Sequence, residues 1–192
     1  MNRASVLPVK LLGWLCASLL TFSALISFSP PARAASAEEI SADAMAALEQ
    51  LYSQDPRMRE LGKKAVAVLV FPNIIKGGFL VGGERGSGAL IRRGQVDGFY
   101  SISALSFGFQ AGAQQFSYAL FFMNEPALAY LNQSDGWALG AGPSLVVVDQ
   151  GYAASINTTT LTQDVYAVPF GEQGLMAGMG LQGSKISRMD PN

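Results

Sequence analysis

The chain is 192 residues long, with 13 basic and 14 acidic side chains, one cysteine and no histidine. Without histidine it lacks the commonest general base and the commonest metal ligand, and a single cysteine builds no disulfide framework. The near-neutral balance is not that of a nucleic-acid-binding domain.

Residues 1–34 read as an export signal. Arg3 and Lys10 give a positive start, and Leu11 to Phe28 an apolar core of eighteen residues. Pro30-Pro31-Ala32-Arg33-Ala34 then ends it with the small-x-small pattern a signal peptidase needs. Cleavage is expected after Ala34, with Ala35-Ser36-Ala37 as a second site; an uncleaved anchor is the alternative, since eighteen apolar residues almost span a bilayer. Cys16 does not make a lipoprotein site, because Trp14-Leu15 precede it where a small residue is required. The remaining 158 residues, Ala35 to Asn192, carry ten basic and fourteen acidic residues, a formal charge of −4. That length suits a single domain with a sizeable core.

Ala37 to Lys64 has a helical pattern. Ser41 is a candidate cap for a helix with Met45, Leu48 and Leu51 on its apolar side, and Asp55-Pro56 ends it and starts a second. From Ala65 the texture is that of strands: Ala65 to Phe71, closed by Pro72-Asn73, then Phe79 to Gly83 and Ser87 to Arg92, a turn at Gly94 to Gly98, then Tyr100 to Phe109 and Gln115 to Met123. Asn124-Glu125-Pro126 starts a helix that stops near Gly136. Strands are expected again at Trp137 to Ala141, Ser144 to Asp149, Ala153 to Thr158, Val165 to Pro169, Leu175 to Leu181 and Ser184 to Met189. The expected class is α+β: two N-terminal helices, one inserted helix and a large, strongly curved or barrel-like, mostly antiparallel sheet.

Gly82-Gly83-Glu84-Arg85-Gly86-Ser87-Gly88 has the look of a phosphate cradle, but no Gly-Lys-Ser/Thr and no helix follows it. Close backbone packing in a hairpin accounts for the glycines. No cofactor or metal is expected, and no enzyme. Serine has only Lys63, Lys64, Lys76 and Lys185 as bases, and Glu84, Asp97, Asp149 and Asp164 read better as solvated turn residues than as an acid pair. Phe107, Phe109, Phe116, Phe121 and Phe122 read as core filling rather than as the lining of a lipid cavity.

The cations are segregated. Arg57, Arg59, Lys63 and Lys64 fall within eight positions and Lys76, Arg85, Arg92 and Arg93 follow, while Glu38, Glu39, Asp43 and Glu49 crowd the first helix. Such a face can meet anionic headgroups, with Met58 and Leu61 inserting beside it; an ordinary solvated face with Glu60 and Glu84 pairing locally is the alternative.

Five stretches carry a resemblance: Lys64 to Pro72, Lys76 to Leu80, Gly86-Ser87-Gly88, Asn124-Glu125-Pro126-Ala127 and Gly174 to Ser184, followed by Asp190. Together they resemble the SYLF domain family, a lipid-binding domain also described as the Ysc84-type actin-binding domain, over Ala37 to Asp190. The resemblance implies lipid binding through basic residues and no enzymatic activity, and it carries over to Lys64, Lys76 and the glycine motifs. An export signal argues against actin and points to phosphatidylglycerol, cardiolipin or lipopolysaccharide instead of phosphoinositides. The expectation is an exported bacterial, periplasmic protein docking on anionic phospholipid at an envelope membrane surface, through Arg57, Arg59, Lys63, Lys64, Lys76, Arg85, Arg92 and Arg93. An envelope scaffold module that binds a protein partner is the second reading, and secretion the second destination.

Overall fold

In the computed structural model, residues 35–132, 136–148, 161–174 and 183–191 are described, without the side chains of 79–81, 106–112 and 172–174. The expectations for residues 1–34, for Ala153 to Thr158, for Leu175 to Leu181, for Asp149 and for the Phe107 and Phe109 side chains lie outside this set.

Two helices open the domain. α1 (Ala37–Gln54) is capped by Ser36, not by Ser41: the Ser36 hydroxyl accepts from the Glu39 amide while the Glu39 carboxylate accepts from the Ser36 amide. That reciprocal box satisfies two otherwise orphaned donors, whereas the Ser41 hydroxyl bonds back to the Ala37 carbonyl at 2.6 Å. α2 (Pro56–Lys64) starts as its sequence indicates, with Asp55 as N-cap and Pro56 in its first turn. Ile40, Ala44, Leu48 and Leu51 of α1, with Met58 and Leu61 of α2, turn one buried side toward the sheet.

The sheet is dominated by a single hairpin, β1 (Ala67–Arg92) with β2 (Gln95–Phe122), of 26 and 28 residues. Five separate strands were expected here. Pro72-Asn73 does not end the first; it sits in a bulge between the Phe71 and Ile74 pairings, where a missing amide costs no ladder bond. The tip is a two-residue turn, Arg93 (φ 51°) and Gly94 (φ 77°), so β2 starts at Gln95, inside the stretch Gly94 to Gly98 expected as a turn. Both central residues are left-handed, the hand that suits a tight hairpin.

Strands this long cannot stay flat. β1 folds over on itself, bringing Gly88 against the backbone of Val70 and the ring of Phe71, and Gly86 against Asn73 and Ile74. β2 pairs along its other edge with β5 (Val165–Gly174) at Gln114–Phe122 and with β6 (Lys185–Met189) at Phe99–Ser103. β3 (Trp137–Ala138) extends the sheet beyond β6, and β4 (Leu145–Val147) lies parallel to β5; all other described pairings are antiparallel.

Two apolar clusters follow from this curl. The inner face buries Leu69, Phe71, Ile74, Tyr100, Ile102, Phe116, Leu120 and Trp137 with Leu128 and Leu131 of α3 (Glu125–Leu131). The outer face is covered by α1 and α2 over Val70, Ile91, Phe121, Tyr166 and Phe170. Among the described residues, both clusters are built within the unit Ala35–Asn192. α3 starts at the expected Asn124, whose carbonyl oxygen accepts from the Ala127 amide while its amide donates to Asp164 at 2.7 Å. Asp164 also accepts from the Ser144 amide and hydroxyl, and these bonds hold its carboxyl below the usual carboxylate range.

Candidate functional site

The eight candidate docking cations fall into three places. The largest group gathers at the helices and the hairpin tip, and most of it is neutralised locally. Arg57 pairs with Asp55 at 2.7 Å, holding that carboxyl below its usual range, and Lys63 pairs with Glu60 at 2.6 Å. Arg59 reaches Glu49 of α1 and lies over the Tyr52 ring, 5.0 Å from its centroid. Arg92 pairs with Glu125 at the start of α3. Exposed pairs like these add little to stability, but each cancels the long-range field of its cation. Lys64 and Arg93 remain, exposed and without an ion pair among the described residues.

Lys76 points the other way. It shares the inner side with buried Ile74, two residues before it in an unbroken register, and it is half-buried. The fold-over that sets Ile74 beside Gly86 sets Lys76 near Glu84. Glu84 is therefore no solvated turn residue. It sits mid-strand, only 6 % exposed, and its Oε1 has no hydrogen-bond partner; the buried Ser184 hydroxyl at the foot of β6 has none either. Burial pushes the Glu84 carboxyl above its usual range, against the opposing pull of the Lys76 ammonium and of the Ser184 hydroxyl, which lies near without a well-formed bond.

Arg85 stands alone among the eight in facing outward from the sheet. Its cross-strand partner is Ser103, and Ser103 is in turn paired with Lys185 of β6. Paired residues in adjacent strands share a face, so Arg85, Ser103 and Lys185 form one row across β1, β2 and β6, all three exposed. Neither cation makes an ion pair among the described residues. In the next row Leu105, 78 % exposed, stands opposite Gly83, which adds no side chain. In the row on the other side lie Ser87, Ser101 and Ser187, with the Ser101 hydroxyl donating to the Ser187 carbonyl. These three rows present two free cations, a projecting leucine, small polar residues and no acid.

Lys185 escaped the sequence reading as a site residue. The alternation Lys185-Ile186-Ser187 marks it as facing away from the core, but nothing local says that β6 docks beside Ser103, 82 positions earlier in the chain. Among the described residues no helix is long and apolar enough to cross a membrane, and no three His, Cys, Asp or Glu side chains gather as a metal site would require.

Comparison with known proteins bears on this stretch of the chain. No curated protein matches it. A family model does, over residues 103–191: Ysc84, described as Las17-binding protein actin regulator. The matched span begins at Ser103, runs through the Asn124–Ala127 helix start, includes Lys185 and ends just past Asp190, whereas the Lys64–Pro72, Lys76–Leu80 and Gly86–Gly88 stretches precede it. Over residues 103–191, the chain is similar to the Ysc84 (SYLF) family.

Proposed function

We propose that the chain is an exported, non-enzymatic lipid-binding protein that docks on anionic phospholipid headgroups at an envelope membrane surface. The observation that carries this reading is the outward row Arg85–Ser103–Lys185 with Leu105 beside it. A cation close to an anionic bilayer contributes about 1 kcal/mol, and burying a leucine about 1.5–3 kcal/mol. Arg85, Lys185 and Leu105 together then supply a few kcal/mol, enough for reversible docking and too little for permanent insertion. Lys64 and Arg93 add to this where they reach the same surface, while Arg57, Arg59, Lys63 and Arg92 contribute less than their number suggests, because acids hold them. Similarity to the SYLF family is in keeping with a lipid-facing role, and the export signal read in residues 1–34 favours bacterial phosphatidylglycerol or cardiolipin over the actin machinery in the family's description.

Salt provides the test, since exposed charges are screened over about 10 Å at 0.1 M ionic strength. The domain Ala35–Asn192 is expected to co-sediment with phosphatidylglycerol/cardiolipin vesicles at low salt, to lose most of that binding at physiological salt, and to leave neutral vesicles unbound. Equal binding to both kinds of vesicle, or none to either, would contradict headgroup docking.

A further inference from the structure

The buried Glu84 and Ser184, each with a polar atom lacking a partner among the described residues, are chain neighbours of the two row cations. Glu84 precedes Arg85, and Ser184 precedes Lys185. Successive strand residues point to opposite faces, so Glu84 lies on the inner side of the same sheet region that carries the cation row outside. From a rise of about 3.3 Å per residue and opposed side chains, the Glu84 carboxyl and the Arg85 guanidinium stand on the order of 10 Å apart. The medium between them is sheet rather than salt water, and screening there is weak.

We propose that the proton on Glu84 sets the affinity of the Arg85–Lys185 face for anionic phospholipid surfaces. The inference rests on the docking reading above and adds its regulation. An ionised Glu84 places a negative charge behind the two cations and subtracts from the potential that attracts lipid phosphates. A protonated Glu84 removes that charge, and it also leaves the ammonium of Lys76 uncompensated. Either way the region gains one positive charge on protonation. The groups facing Glu84 are Lys76 from the first limb of β1 and Ser184 from the foot of β6; its register partner in β2, Ala104, carries no titratable group. Arg85 and Lys185 lie on the opposite face.

Burial already displaces the carboxyl of Glu84 upward, whereas hydrogen bonds displace those of Asp55, Glu60 and Asp164 downward. The chain has no histidine to titrate near neutrality. The membrane itself biases the switch, because a surface potential of about −30 mV lowers the local pH by roughly half a unit. Docking and protonation therefore favour one another, as linkage requires.

The experiment is co-sedimentation of Ala35–Asn192 with phosphatidylglycerol vesicles across a pH series from acid to neutral at constant ionic strength, for the wild type and Glu84→Gln. The wild type is expected to bind more tightly as pH falls through the raised range of the Glu84 carboxyl, by about three- to fivefold in all, the worth of one unit charge near the surface. Glu84→Gln is expected to bind at every pH as the wild type does at the acid end. A flat wild-type profile, with binding intact, overturns the proton linkage and leaves docking standing; a sloping profile that persists in Glu84→Gln overturns it too, by placing the response elsewhere. No binding at any pH overturns docking and the linkage together.

Urea unfolding of the wild type supplies an independent readout should the variant misfold. A carboxyl whose pKa is raised by folding stabilises the fold fully below its unfolded value, and that contribution is lost as pH rises through its folded value. Stability that does not fall across that window contradicts the proposal.

Discussion

Gly88→Ala is expected to destabilise the domain by about 3 kcal/mol or more, a large part of the roughly 5–15 kcal/mol that holds a domain of this kind together. A Cβ at this position would lie 2.3 Å from the Val70 carbonyl oxygen and 2.6 Å from the Phe71 ring. The first contact is with backbone, and Val70 and Phe71 are themselves fully buried, so nothing nearby can swing aside. Relief requires the two limbs of β1 to separate, and that opens the curl. Gly83→Ala on the same strand is the control: its nearest neighbour is the Ala104 carbonyl at 3.7 Å, an ordinary contact, and a strand position generally gains from alanine by up to about 1 kcal/mol. Urea midpoints for the two variants measure the difference. Similar midpoints would mean that close backbone packing is not what these glycines are for.

The second large effect concerns the outer face. Reversing both row cations, Arg85→Glu with Lys185→Glu, is expected to weaken binding to anionic vesicles at least about thirtyfold, from two lost contacts of about 1 kcal/mol each and the added repulsion. Both side chains are exposed and make no ion pair among the described residues, so unfolding midpoints should move little. Lys63→Glu with Lys64→Glu should weaken binding by much less, since Lys63 is already held by Glu60. If the helix pair proves the more damaging of the two, the docking surface belongs on α2 and the row is an ordinary solvated face.

The elements whose ends are marked by local chemistry were legible in the sequence. Asp55-Pro56 and Asn124-Glu125-Pro126 each combine a capping side chain with a proline in the first helical turn, and both helices begin there. The capping box at Ser36 was equally local, since Glu39 follows at the right spacing, yet the sequence reading put the cap at Ser41. The hairpin was not legible as one element. Pro72-Asn73 and the glycines read as stops, yet 23 cross-strand pairings between β1 and β2 carry the ladder past them, with bulges absorbing the irregular residues. Glycines that looked like loop punctuation turned out to be where the folded strand meets itself.

The site was legible in composition and opaque in arrangement. Lys63–Glu60 is a three-residue spacing that the sequence displays, but Arg59–Glu49 and Arg92–Glu125 depend on how the helices and the hairpin tip come together. Glu84 read as a turn residue because it lies among glycines, and only the fold-over buries it beside Lys76. The row needs three strands in register, with its two cations 100 positions apart, and pairing over that distance is a property of topology rather than of any local pattern.

A tryptophan in place of Leu105 would test the docking face most directly. The one tryptophan native to Ala35–Asn192, Trp137, is fully buried and gives a constant background, while position 105 is 78 % exposed. With Leu105→Trp, phosphatidylglycerol vesicles should shift the emission to the blue as the indole leaves water, and added salt should reverse the shift. Neutral vesicles should leave it unchanged. Co-sedimentation of this variant with anionic vesicles while its emission stays that of exposed indole would contradict the account, because the protein would then be meeting the membrane through another face.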